Sequence, residues 1–500
     1  MKKKAKNSEY TAPDPNGTPS AKQIRELLEK SRYVEIASNA IAKIRPGGPI
    51  YVSSQSNGNA TLINLIDLFL MGKPVSEDAA QSALHPVKID NWLEAGLIEI
   101  NDGQVTSQVQ FFPYQGLLLI TDFEWAPDAV SNRQPVMGIT VSTKLLANLT
   151  VRRSSRLTLD LGTGTGVQAL LAARHSEKVI AVDICPRALA FARFNAQLNG
   201  FKNIEFIEGD LFQAVEGQTF DLIVSNPPFL ISPENQSSYR DNPLDGDELV
   251  RNMVREMPRF LNQGGYGQVL CNWIQPGTEN WMNRLNEWYK KSGCDTWVIR
   301  KSEIEPAAYA HNWLKDFKTK DMEQRQKTWL DYYQQNDIAA IGSGLIILRR
   351  NDESSHWSRI DQSLPRLSQD SGGYIDRIFQ SMDFLKQTQK DHALLNQRLH
   401  VCPYLRVDKQ TVPEAEGTWT TKSAQLTLTQ GILHQVTVDK SIMEIIMSCK
   451  PNITLGELLN EIADREKKSP DEFITTYLPA CRRLIAQGFL WPENSLAITE

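Results

Sequence analysis

Short apolar runs separated by helical stretches occupy the middle of this chain. Leu157–Leu161, Lys178–Val182, Ile204–Ile207 and Phe220–Ser225 each carry enough apolar positions for a buried strand, and small and apolar residues from Val167 to Arg174 suit a helix between the first two. A final strand is expected over Ala339–Leu348. Strands alternating with helices predict an open α/β sheet, which binds ligands outside the carboxyl ends of its strands.

The flanks have a different rhythm. Helical stretches are expected over Ala21–Arg45 and Thr61–Leu70. Ser76 then caps Glu77–Leu84, and a helix from Val87 to Ala95 stops at Gly96 before Leu97–Ile100. Asn101-Asp102-Gly103 supplies a turn into Val105–Val109, so helices followed by a hairpin predict a winged-helix-like module. The C-terminal end repeats this order. Ile442–Met447, a capping box at Thr454–Glu457 and a helix over Asp471–Gln487 precede Gly488, with a hairpin expected over Phe489–Ile498. Leu93–Ile98 and Ile485–Leu490 share one shape.

These breaks divide the chain into a polar tail 1–20, an N-terminal helical, winged-helix-like domain 21–135, a central domain 136–350 and a C-terminal domain 351–500 ending in a second such module. An insertion, 303–338, carries Trp313, Trp329, Tyr332 and Tyr333. Those rings suit the core of a small helical lid, or a surface on which bases stack. Asp245, Asp247 and Glu248 suit the positive end of the helix they begin. The stretch 136–150, with Ser142 and Thr143, either closes over a ligand or is a plain connecting helix.

Five hundred residues exceed one core, so several domains are expected. Six scattered cysteines and seven histidines without ligand spacing support neither a disulfide framework nor a metal site. The basic start Met1–Lys4 runs into polar residues, and no apolar run approaches a membrane span, so a cytoplasmic protein is expected. A net charge of −5 argues against broad attraction to nucleic acid, though a local basic face is compatible with it.

Candidate chemistry lies at the strand ends. Asp160-Leu161-Gly162-Thr163-Gly164-Thr165-Gly166 follows the first strand, but its third glycine comes one position early for a dinucleotide fingerprint, whose place Val167 holds. Read alone, the turn is equally a tight structural turn. Asp183, about twenty residues on from the first glycine, can accept both hydrogen bonds of a ribose diol, and Asp210 can accept one from an adenine amine. Either acid could instead cap a helix. Asn226-Pro227-Pro228-Phe229 closes the fourth strand. The Asn oxygen and the carbonyl of Pro227 can both accept from a planar NH₂ group, localising its lone pair for attack on a methyl group. The prolines stiffen this platform, and Phe229 can stack on the substrate plane.

Together, Leu157–Phe229 resembles the class I S-adenosylmethionine-dependent methyltransferases, within the N-directed branch of release-factor glutamine, ribosomal-RNA and adenine-DNA enzymes that carry (D/N/S)-P-P-(Y/F/W). The resemblance implies a Rossmann-like seven-stranded sheet with helices on both faces. It implies that Gly162, Gly164 and Gly166 surround the methionine moiety, Asp183 the ribose, Asp210 the adenine and Asn226–Phe229 the target nitrogen, with Asp160, Thr163, Ile184, Leu211 and Asn226 also at the cofactor. Glutamine enzymes usually end the motif in Tyr, whereas Phe229 is common among RNA base enzymes. A nucleobase amine of RNA is therefore the favoured substrate. Glutamine of a protein such as a release factor is the alternative, and a non-catalytic nucleic-acid-binding regulator is the contrasting one.

Overall fold

Eight strands form the sheet at the centre of the computed structural model, which describes residues 12–14, 20–42, 59–123, 136, 138–234, 246–315, 321–362, 367–368, 371–413 and 417–493. They are β1 (Ser155–Leu161), β2 (Ser176–Asp183), β3 (Ile204–Glu208), β4 (Phe220–Ser225), β5 (Leu261–Pro276), β6 (Cys294–Ile304), β7 (Ile338–Arg350) and β8 (Ser358–Asp361). Their order is β3-β2-β1-β4-β5-β7-β6-β8. The first five run parallel, and β7 is antiparallel to both β5 and β6. The expected seven strands are β1–β7. The added edge strand β8 rests on Asp295, whose fully buried carboxylate accepts from the Trp357 amide at 3.1 Å and from Arg349 Nη2 at 2.7 Å.

The parallel strands are apolar on both faces because helices cover both sides. Leu159, Leu161, Ile180, Val182 and Ile223 lie in one core with Val250, Met253 and Met257 from the far side of the motif. At the opposite end from the ligand edge, Asp221 Oδ2 accepts from the Arg156 amide at 2.8 Å and Oδ1 accepts from Asn262 Nδ2 at 2.7 Å. Register sets Leu161 beside both Val182 and Ser225, so the turns after β1, β2 and β4 emerge at one level.

Contacts divide the chain into two compact units, Met1–Leu146 with Ser154–Gln362, and Ala147–Arg153 with Ser363–Glu500. The division differs from the sequence scheme in two places. The N-terminal region shares a core with the helix α2 (Pro186–Leu198), through Ile24, Leu28 and Phe111 against Phe191, Phe194 and Leu198. The segment Ala147–Arg153 groups with the C-terminal unit, in which a Cβ on Gly372 would lie 1.8 Å from the Thr150 oxygen. The tail 1–20 lies largely outside the described residues.

In the N-terminal region, helices occupy Ala21–Lys30, Tyr33–Ala42, Ala60–Phe69, Glu77–Leu84 and Ile89–Glu94, and the hairpin pairs Ile98–Asn101 with Gln104–Ser107. A two-residue strand, Val75–Ser76, adds to that hairpin. A second hairpin, Gln110–Tyr114 with Leu117–Thr121, was not legible locally and joins this region to α2.

The C-terminal unit holds a helix Gly372–Gln387, a three-stranded sheet (Leu405–Pro413, Trp419–Leu428, Gln435–Asp439) and helices Lys440–Ser448, Leu455–Glu466 and Pro470–Ala486. The capping box at Thr454 is present, with the Glu457 amide donating to Thr454 Oγ1 at 3.2 Å. The expected hairpin after Gly488 takes another form. Leu490–Pro492 pairs antiparallel with Leu399–Val401, some ninety residues upstream, and 494–498 lie outside the described residues. The shared shape of Leu93–Ile98 and Ile485–Leu490 is a common helix stop. Gly96 and Gly488 are left-handed (φ 69 and 77), and the amides of Leu97 and Phe489 donate to the carbonyls of Trp92 and Leu484.

Candidate active site

Three left-handed glycines shape the turn after β1, and they are needed for different reasons. Gly162, Gly164 and Gly166 have φ of 69, 54 and 84. A Cβ on either of the first two would meet nothing within 4 Å, so there the requirement is backbone conformation. A Cβ on Gly166 would lie 3.0 Å from the Ala192 Cβ, so this glycine lets α1 (Val167–Ala172) pack against α2.

Asp160 is buried beneath the turn. Its Oδ2 accepts from Thr163 Oγ1 at 2.6 Å and from the Ala169 amide at 2.9 Å. Burial pushes this carboxyl up to about 7, against the pull of those two donors. Asp160 Oδ2 and Thr163 Oγ1, of two residues expected at the cofactor, thus help hold the turn closed. A residue missed in the sequence does similar work. Asn195, fully buried on α2, donates to the carbonyls of Thr165 at 2.9 Å and Ile120 at 3.1 Å, fastening the turn to the second N-terminal hairpin. Its signal was a polar side chain on the buried face of an apolar helix.

Asp183 ends β2 half-buried. Its Oδ2 accepts from the Gly164 amide at 2.8 Å and its Oδ1 from the Cys185 amide at 2.9 Å. Burial raises its pKa, and those amide donors oppose the shift. Ile184 beside it is 66% exposed, an apolar face offered at a strand end. Past β3, Asp210 is exposed and precedes Leu211, which adopts a left-handed φ of 45. A bulky residue held in this region is strained, a condition that clusters at binding sites.

Asn226 follows β4, whose last residue, Ser225, donates from Oγ to the Leu161 carbonyl at 2.8 Å. The Asn226 Nδ2 lies 3.5 Å from Ser142 Oγ, and its Oδ1 is buried without a hydrogen-bond partner among the described residues. Ser142 belongs to a small hydroxyl cluster, at 2.8 Å from Thr140 Oγ1, which is 2.9 Å from Thr143 Oγ1. Gln168 on α1 donates to the Thr143 carbonyl at 3.1 Å. The stretch 136–150 is thus a connector whose helix, Val141–Leu149, brings hydroxyls to the motif. Pro227 is buried, while Pro228 and Phe229 are partly exposed.

The insertion forms helices α5 (Pro306–Leu314) and α6 (Met322–Gln335), after α3 (Glu248–Glu256) and α4 (Trp281–Asn286). Trp329 and Tyr333 are fully buried with Leu230 and Ile231, so they serve packing and not base stacking. Before α3, Asp247 makes no cap. Its carboxylate accepts from Arg284 at 2.7 and 2.8 Å and from the Ile274 amide at 2.8 Å, and Asp245 lies outside the described residues.

Residues 137–292 match the family model of the methyltransferase small domain. A protein of Methanocaldococcus jannaschii with the provisional name protein N5-glutamine methyltransferase is 37% identical over 148 residues, which cover 28% of this chain and 73% of that protein. The chain belongs to this family of S-adenosylmethionine-dependent methyltransferases. The release factor glutamine methyltransferase of Escherichia coli is 45% identical over 129 residues, 23% of this chain and 47% of that enzyme. The chain therefore spans about half the length of the release factor enzymes it matches. A solved methyltransferase of Pyrococcus furiosus aligns over 46% of this chain and 89% of its own at 18% identity, with a TM-score of 0.29. Residues 47–108 and 376–492 match two further models, each described as a domain of unknown function.

The methyltransferase site fits its cofactor on the chemistry of its own residues. The open backbone at Gly162 and Gly164, the Asp183 carboxylate, the exposed Ile184 and Asp210 would hold S-adenosylmethionine, which supplies an electrophilic methyl group. The protein's part is alignment and hydrogen bonding. Asn226 Oδ1 can accept from a target NH₂ as its nitrogen leaves the plane, and Phe229 can flank that plane. Among the described residues no group of three or more His, Cys, Asp or Glu could hold a metal, and no helix is long and apolar enough to cross a membrane.

Proposed function

We propose that this methyltransferase acts on the side-chain amide of a glutamine in a protein substrate of the release-factor kind. The observation that supports it is Asn226 Oδ1, a buried acceptor without a partner among the described residues, which the planar NH₂ group of an amide would satisfy. The glutamine specificity named for the relatives supports the same choice. The preference for RNA that Phe229 suggested is given up on these grounds, since the hydroxyl that separates Tyr from Phe is not the group that accepts from the amine.

Charge supports a protein partner. Residues 59–107 are read as a winged-helix-like module, yet most of its exposed charges are acidic. Between 59 and 107, Glu77, Asp78, Asp90, Glu94, Glu99 and Asp102 are exposed, against Lys73 and Lys88 as exposed bases. Phosphate binding needs the opposite sign.

Labelled methyl transfer tests the proposal. Incubation with labelled S-adenosylmethionine and a purified release factor should add a methyl group to a glutamine, located by peptide mass spectrometry, and leave ribosomal RNA unlabelled. Label found in RNA with the release factor silent would overturn it.

A further inference from the structure

Beyond Phe229 the chain runs through Leu230 and Ile231 into the core of the insertion, and there both backbone polar groups of Ile231 are held by tyrosines. The Ile231 amide donates to Tyr309 Oη at 3.3 Å, and Tyr333 Oη donates to the Ile231 carbonyl at 2.9 Å. Tyr309 Oη also accepts from Asn272 Nδ2 on β5 at 2.8 Å, which ties α5 to the sheet. Three residues further on, Glu234 Oε1 accepts from Arg325 Nε on α6 at 2.9 Å, and a second bond joins Arg325 Nη2 to Glu234 Oε2. Tyr309, Tyr333 and Ile231 are all buried, so each of these groups lacks water as a substitute partner.

The two hydroxyls act on a short, stiff lever. Pro227 and Pro228 fix φ on one side of Phe229, while the tyrosines fix the peptide two residues away on the other. We propose that Tyr309 and Tyr333 are positioning residues, through which the insertion clamps the Asn226–Phe229 segment in the pose that meets the target amide. This deepens the methyl-transfer role of that segment and rests on it. The insertion is then a support built behind the site, not a cover that closes over it.

The test uses the full chain carrying Tyr309→Phe, Tyr333→Phe or both, which remove an oxygen and keep the ring packing. Amide exchange read by NMR reports the Ile231 N–H directly, and a fluorinated phenylalanine at 229, assigned by its loss in Phe229→Leu, reports the ring. Tyr309→Phe should speed Ile231 exchange about fivefold to tenfold, as expected for one lost hydrogen bond, with amides of β1 and β2 unchanged. Both variants should shift or broaden the Phe229 signal, and with the release factor as substrate should lower kcat about tenfold while KM for S-adenosylmethionine holds. Unaltered Ile231 exchange, an unaltered Phe229 signal, or faster exchange with full kcat would each overturn the clamp. A wild-type enzyme silent toward the release factor would count against the proposed substrate instead, and the exchange and fluorine signals would still decide the clamp.

Discussion

The Gly164 amide donates to Asp183 Oδ2 at 2.8 Å, so the acid that ends β2 also fastens the tip of the glycine turn after β1. One side chain thereby sets the spacing between the two loops proposed to flank the cofactor. Asp183→Ala should weaken S-adenosylmethionine binding by about 1.5–3 kcal/mol, the range for hydrogen bonds to a charged group, in a calorimetric titration. Equal affinity in the variant and the wild type would remove Asp183 from the cofactor site.

Asn226→Ala should separate chemistry from binding. It deletes the acceptor proposed to face the target amine, so kcat should fall about 100-fold or more, as when an oriented polar group is lost from a transition state, with cofactor affinity nearly intact. Ser142→Ala should reproduce a small fraction of that loss, because it touches only the far side of the Asn226 amide. Rate measurements at saturating cofactor decide both. Wild-type turnover in Asn226→Ala would refute the role assigned to it.

Asp160 gives the fold a pH dependence of unusual sign for an acid. Its carboxyl is raised from an ordinary value of 3.8 to about 7 by burial, so between those values the folded protein holds a proton that the unfolded chain has lost. Stability from this group should therefore fall as pH rises through that window, by up to about 1.4 kcal/mol per pH unit, and level off above it. Both donors end on Oδ2, so Asn in place of Asp160 can keep them. Urea unfolding at about pH 5 and about pH 7.5 should show the slope in the wild type and a flatter response in Asp160→Asn. Identical slopes would mean that Asp160 is ionised throughout.

The glycines of the turn should differ in cost. Gly166→Ala places its Cβ against Ala192 and should add about 1–3 kcal/mol, the range for overpacking, to the left-handed backbone penalty that both positions carry. Gly162→Ala meets open space and carries only the left-handed backbone penalty, about 1–2 kcal/mol. Paired denaturant melts check the order. If Gly162→Ala proves the more destabilising, α1 and α2 are not held by that close approach.

Local signals were enough for much of this protein. The strands β1 to β4, the left-handed glycines, the helix stops at Gly96 and Gly488 and the cap at Thr454 depend on neighbours within a few residues, whose preferences are written in the chain itself. The residue types at four successive strand ends were likewise enough to point to an adenosyl cofactor and an amine substrate. Pairings and burial over long separations belonged to tertiary structure alone. The partner of Leu490–Pro492 lies at Leu399–Val401, Asn195 reaches back to Thr165 and Ile120, and Tyr309 and Tyr333 reach Ile231 across about eighty and one hundred residues. Burial also separated residues that type left alike, since Asp160 and Asp183 are the same acid in sequence. One is sealed under the turn with its bonds spent inside, and the other stands half-open at the strand end, because only the packed sheet determines which carboxylate faces water.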